Sequence, residues 1–206
     1  MFTVYGARGS GSVAVEAALT LMGLAYQVVD ADPWGDAAAL DALEKVSPLR
    51  QVPVLELPDG RTMTESAAIL LWFGDSREGR PFAPALVDPN RPAYLRWMVY
   101  IPAAIYPMYA IKDNVASWVS DGDCQVELTA NTIDRITACW KVMEAEVDPS
   151  PYIFGERPTF LDLYVSVVSR WTPGRDAFVE NCPKLGAMVK RVDEDPRLET
   201  LWRERF

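Results

Sequence analysis

The segment Arg50-Gln51-Val52-Pro53-Val54-Leu55-Glu56-Leu57 places a proline inside an apolar β-run. Val52, Val54, Leu55 and Leu57 have the character of a strand, and Pro58-Asp59-Gly60 supplies the turn that ends it. A proline has no N–H to give to a ladder. Pro53 therefore either confines this run to a sheet edge or marks a deliberate turn at the Val52–Pro53 bond.

Outward from this run, the first part of the chain alternates in type. Residues 2–5 (FTVY) read as a short strand and ARGSGS as a loop, and Val13 to Gly23 carries apolar residues at helical spacing before a glycine stop. YQVVDA (26–31) is a second strand, followed by the loop DPWGD and a polar helix closed by Pro48. VPVLEL is the third strand and RTMT a short fourth, and a helix runs from Thr64 through Trp72. The order is βαβαββα. A proline-rich stretch follows, and beyond it every pattern is helical, over roughly 93–119, 125–147, 160–171, 184–194 and 196–204. The expected organisation is an α/β domain over 1–77, a linker over 78–89 and an all-helical domain over 90–206.

Composition excludes several classes. The chain has 206 residues and a net charge of −9, which argues against nucleic acid and anionic membranes as general partners. No apolar run approaches the ~20 residues that span a bilayer, and the opening residues have no basic-then-apolar leader. Cys124, Cys139 and Cys182 are few and scattered, which fits a reducing cytoplasm. The absence of histidine removes Ser-His-Asp and Cys-His catalysis, and no cysteine or carboxylate cluster has the spacing of a metal site.

The βαβαββα unit, its VPVL, the ESAAIL that opens the next helix and the all-helical remainder together resemble a cytosolic glutathione transferase of bacterial type. The resemblance covers the whole chain. It implies a thioredoxin-like first domain that binds glutathione as cosubstrate and a helical second domain that holds an electrophilic, apolar small molecule. It also implies a homodimer, no metal, and a cis Val52–Pro53 bond. Such a bond leaves the Val52 N–H and C=O free to bridge an extended peptide, here glutathione.

The site residues follow from the same comparison. Thr64 reads as an N-cap, Glu65 as a partner for the ligand's ammonium, and Ser66 as a hydroxyl at a helix N-terminus that holds a carboxylate. The family activates the sulfur with a Tyr, Ser or Cys near the first strand. Counting from the strand selects Ser10; Ser12 lies at the helix start and Tyr5 at the strand end. A hydroxyl that donates to the sulfur favours the thiolate, and the loop's backbone N–H groups can do the same. Gln51 and Trp34 border the glycyl end of the ligand. Pro102 and Pro107 should bend the long helix, and Tyr106 and Tyr109 suit the wall of an apolar second-substrate pocket between the domains by their chemistry. Thr159 with Asp162 reads as a capping box and thus as a folding feature. The alternatives are a glutathione-dependent disulfide or peroxide reductase on the same site and a non-catalytic binding or regulatory protein of the same fold.

Overall fold

Four short strands and the helices that cover them account for the first part of the chain. The computed structural model describes residues 1–206. Strand β1 (Phe2–Gly6) leads into α1 (Ser12–Met22), β2 (Tyr26–Asp30) and α2 (Ala37–Glu44). Strands β3 (Val54–Glu56) and β4 (Thr62–Met63) then precede α3 (Ser66–Asp75). The sheet order is β2-β1-β3-β4, with β1 parallel to β2 and antiparallel to β3. This is the thioredoxin-like arrangement that the resemblance implies for the βαβαββα order.

The register carries the functional consequence. Tyr5 pairs with Val54 and Leu55 with Met63, so the end of β1, the start of β3 and the end of β4 lie at one edge of the sheet. The loop after β1, the Val52–Pro53 bond and the start of α3 are thereby gathered from distant parts of the sequence.

Helix α1 has almost no solvent face. Val13, Ala14, Val15, Ala17, Ala18 and Leu19 are fully buried, and the helix ends on Gly23 at φ 67°, whose N–H reaches the Leu19 and Thr20 carbonyls. Gly6 makes the entry to this helix possible. A β-carbon there would sit 2.2 Å from the Ser12 hydroxyl oxygen, closer than any real contact.

The helical part consists of α4 (Arg91–Tyr100), α5 (Tyr106–Asp113), α6 (Gly122–Glu146), α7 (Phe160–Val168), α8 (Arg175–Asn181), α9 (Pro183–Asp193) and α10 (Glu199–Arg205). The long helix expected over 93–119 is interrupted. A π-turn at Ile101–Ile105 separates α4 from α5, with Pro102 in its first turn and Pro107 in the first turn of α5. Helix α8 was not apparent in the sequence, because seven residues between Gly174 and Cys182 are too few to show a period. Helix α7 is buried along its whole length, and one continuous core runs from Val4 through α1 and α3 into α7.

Asp162 caps α7 as its sequence position suggests. Its carboxylate accepts the Thr159 N–H at 2.7 Å, the Thr159 hydroxyl at 2.6 Å and the Ile153 N–H at 3.0 Å. Burial pushes this carboxyl's pKa up against the pull of those hydrogen bonds. Asp162→Ala orphans two buried backbone donors, each worth ~1–3 kcal/mol. The expected result is a loss of about 3 kcal/mol in chemical denaturation, and a change below about 1 kcal/mol contradicts this role.

Candidate functional site

The Val52–Pro53 bond is cis. Neither the N–H nor the C=O of Val52 has a hydrogen-bond partner in the protein, although the residue is half-buried at the start of β3. Polar backbone groups at such a position are normally paired. Gln51 beside it is exposed and gives its N–H to the Ser47 hydroxyl.

The start of α3 is equally open. The N-cap is Glu65 rather than the expected Thr64, and no side chain caps the helix. The first-turn N–H groups thus have no intrahelical partner. Glu65 adopts φ 65° and ψ 100°, a left-handed conformation that strains a residue with a β-carbon. The buried Ser66 hydroxyl meets the Tyr164 hydroxyl of α7 at 2.8 Å. Burial pushes Tyr164 up to about 12, so it stays protonated at neutral pH.

The three hydroxyls that the sequence puts forward for the sulfur all have partners within the protein. Tyr5 donates to Glu56 at 3.1 Å across the strands. Ser10 is 4% exposed, donates to the Ala7 carbonyl at 2.8 Å and lies 2.9 Å from the Ser12 hydroxyl. Ser12 in turn reaches Glu16 at 3.1 Å. Glu16 is a carboxylate inside an apolar helix, and its partner is Arg205 at 3.0 Å. Burial pushes the Glu16 pKa up while Arg205 pulls it down, with burial the larger influence.

Two donors beside this loop are uncommitted. The Gly11 N–H has no partner. The Tyr106 hydroxyl is buried and unpaired at the start of α5, although it neighbours the Tyr164 and Ser66 hydroxyls. It points at Gly11, where a β-carbon would stand 2.7 Å from its oxygen. Burial holds its pKa well above that of an ordinary phenol, so the group remains a hydrogen-bond donor. Sequence reasoning named Tyr106 only as a pocket wall.

Tyr106 and Tyr109 both pack edge-on against Trp171, with centroids 4.9 and 5.0 Å away. Behind Tyr109 lies only a small crevice, of about 10 Å³, lined by Thr137, Trp140, Trp171, Phe178 and Cys182. Trp34 is 64% exposed, and its backbone N–H bonds Asp32. Tyr164, Trp171, Glu16 and Arg205 were missed. Only Glu16 left a trace in the sequence, as a lone charge among the apolar residues of α1.

The glutathione S-transferase N-terminal domain model matches residues 12–76. An uncharacterized GST-like protein of Escherichia coli (strain K12) is 32% identical over 200 residues, covering 97% of this chain and 96% of that protein. A maleylacetoacetate isomerase of Rhizobium meliloti (strain 1021) is 29% identical, over 89% of this chain and 87% of its own. A glutathione transferase homolog from Sulfitobacter, crystallised with bound glutathione, superposes with a TM-score of 0.85 at 25% identity, covering 99% of this chain and 98% of that one. The chain belongs to the glutathione S-transferase family. No helix is long and apolar enough to cross a membrane.

Two outcomes test this geometry. Gly11→Ala drives a methyl against the Tyr106 oxygen, so near-ultraviolet circular dichroism of the Tyr106–Trp171 cluster should change; an unaltered spectrum contradicts the contact. Cys139 and Cys182 are buried, and burial pushes Cys182 up to about 12, whereas Cys124 is exposed. Native alkylation should modify Cys124 alone, and rapid labelling of Cys182 in the folded protein would refute its burial.

Proposed function

We propose that the protein binds glutathione at the shared edge of β1, β3 and β4, holds its sulfur as thiolate, and directs it at an electrophilic, apolar small molecule. The observation that carries this reading is the unpaired N–H and C=O of Val52, adjacent in the sheet to an uncapped α3. A short extended peptide satisfies both Val52 groups as an added strand does. Its terminal carboxylate then falls to the free N–H groups of α3 and the Ser66 hydroxyl, and its ammonium to Glu65. Gln51 and Trp34 remain the proposed neighbours of the glycyl end.

The sulfur's environment follows from which donors are uncommitted. Gly11 N–H and the Tyr106 hydroxyl are available without breaking an internal bond, whereas Ser10, Ser12 and Tyr5 must give one up. Donation to the charged form lowers a thiol pKa that starts near ~8.5. The thiolate sulfur then forms a bond to carbon of an electrophile held against Tyr106, Tyr109 and Trp171, as the carbon's bond to its leaving group breaks and that group departs with the electron pair, so positioning and ionisation are the protein's two contributions. The internal commitment of the three expected hydroxyls favours one second reading, a glutathione-binding protein without turnover. Titrating the thiol of the bound ligand separates the two.

Glu65→Ala and Ser66→Ala should each weaken glutathione binding by about tenfold or more, the equivalent of ~1.5 kcal/mol or above for a hydrogen bond to a charged group. Calorimetry that finds wild-type affinity in both removes the ligand assignment. Tyr106→Phe should keep the affinity, raise the pKa of the bound thiol and lower turnover by ~10²-fold. If Ser10→Ala, Ser12→Ala or Tyr5→Phe moves the thiol pKa and Tyr106→Phe does not, the activating group lies on the first domain instead.

The same reading includes a homodimer about a two-fold axis. Trp72 on α3 and Leu95 and Val99 on α4 are exposed apolar side chains suited to such an interface. Light scattering should give twice the 23.0 kDa chain mass, and a monomer at micromolar concentration contradicts it.

A further inference from the structure

The loop Ala7–Ser12 is held from the other end of the chain. Gly9, at φ 67°, donates its N–H to the Arg205 carbonyl at 2.9 Å. Its own carbonyl accepts the Trp171 indole N–H at 2.6 Å. Both backbone groups of this glycine are therefore taken by the helical half.

The Arg205 side chain completes the clamp. It crosses to α1, where one guanidinium nitrogen meets Glu16 at 3.0 Å and another meets the exposed Asp30 at 3.4 Å. Glu16 is 1% exposed and also accepts the Ser12 hydroxyl, which lies 2.9 Å from Ser10. An unbroken polar line thus runs from Arg205 through Glu16, Ser12 and Ser10 to the Ala7 carbonyl. Helix α10 is itself fixed. Trp202 is buried against the core, and Arg170 lies 5.2 Å from its ring centroid and 4.4 Å from that of Phe206.

We propose that Arg205 is a positioning residue for the thiol site: by neutralising Glu16 with its side chain, beside the hold of its main-chain carbonyl on Gly9, it keeps the Ala7–Ser12 loop in the conformation that turns Gly11 N–H toward the ligand's sulfur. The proposal rests on the glutathione reading above. Its physical basis is the burial of Glu16. A carboxylate excluded from water needs a partner of opposite charge, and without Arg205 it either takes up a proton or draws on the hydroxyls and loop beside it. Ser12 is the first group it would disturb, and Ser10 and Gly11 come with it. The guanidinium suits the task because its planar fork serves a side chain on α1 and another on β2 at once.

The test uses Arg205→Met, Arg205→Lys and the double variant Glu16→Gln/Arg205→Met, with Arg203→Met as a control on the exposed side of the same helix. Amide hydrogen exchange is read in the ligand-free protein, and the thiol of bound glutathione is titrated by its thiolate absorbance. Arg205→Met should accelerate exchange at the hydrogen-bonded Ser10 and Ser12 amides by about tenfold or more relative to the α7 amides. It should also raise the bound thiol's pKa by about one unit with little change in glutathione affinity. Arg205→Lys should recover part of both effects, and Arg203→Met should match wild type.

If Arg205→Met fails to fold, Arg205→Lys decides in its place by its partial effect, while the double variant, which leaves no unpaired buried charge, should fold and lie near wild type. Wild-type exchange and titration in folded Arg205→Met, or in Arg205→Lys where it decides, would overturn the proposal. So would faster exchange throughout the protein with an unchanged thiol pKa, since Arg205 would then be only a stability contact. If wild-type protein binds no glutathione, the functional reading fails by itself. In that case, exchange at Ser10 and Ser12 in the ligand-free variants still decides whether Arg205 holds the loop.

Discussion

Helix α1 lies between the sheet and the helical half, and nearly every residue from Ser12 to Leu19 is buried. Much else in the molecule follows from that enclosure. A helix with no wet face must satisfy its polar side chains internally, and α1 carries Ser12 and Glu16. Their partners come from the Ala7–Ser12 loop on one side and from Arg205 on the other. The packing that builds the core therefore also ties the site loop to the last helix.

The site is defined by the few polar groups that this closure leaves without partners. Val52 keeps both backbone groups free, α3 begins without a cap, Gly11 has an unused N–H, and Tyr106 has a buried hydroxyl that forms no hydrogen bond. Other buried atoms, among them the Tyr94 hydroxyl and Arg91 Nε, are unpaired too, so it is the gathering of these groups around one end of the sheet that suits a polar ligand. The strained Glu65 belongs to the same set, because strain of this kind persists where the surroundings hold it in place. The helical half contributes to the site as directly as the first domain does, through Tyr106, Tyr164 and Trp171.

The order of elements in the first part was legible because each has a local signature: alternation in β1 and β3, a helical period ended by Gly23, and the turn at Asp59-Gly60. The cis Val52–Pro53 bond and the helix start at Glu65–Ser66 were legible through a local motif, a helix start beside a proline-led strand. The activating hydroxyl was less so. Ser10, Ser12 and Tyr5 have suitable chemistry and position in the sequence, but whether a hydroxyl is free depends on its neighbours in space. All three turn out to be engaged, by Ala7, Glu16 and Glu56 respectively.

By itself, the sequence determined the βαβαββα order, the helical remainder and the Asp162 cap, since these rest on periodicity and on residues a few positions apart. Tertiary structure alone decided what touches what across the chain. The Ser66–Tyr164 pair spans 98 residues and the Glu16–Arg205 pair 189, and no local pattern encodes either. The break of the long helix at Ile101–Ile105, which positions the Tyr106 hydroxyl against Gly11, belongs with them. The physical reason is the same throughout: propensity and period act along the backbone, whereas burial and the pairing of buried polar groups are settled only when distant segments meet.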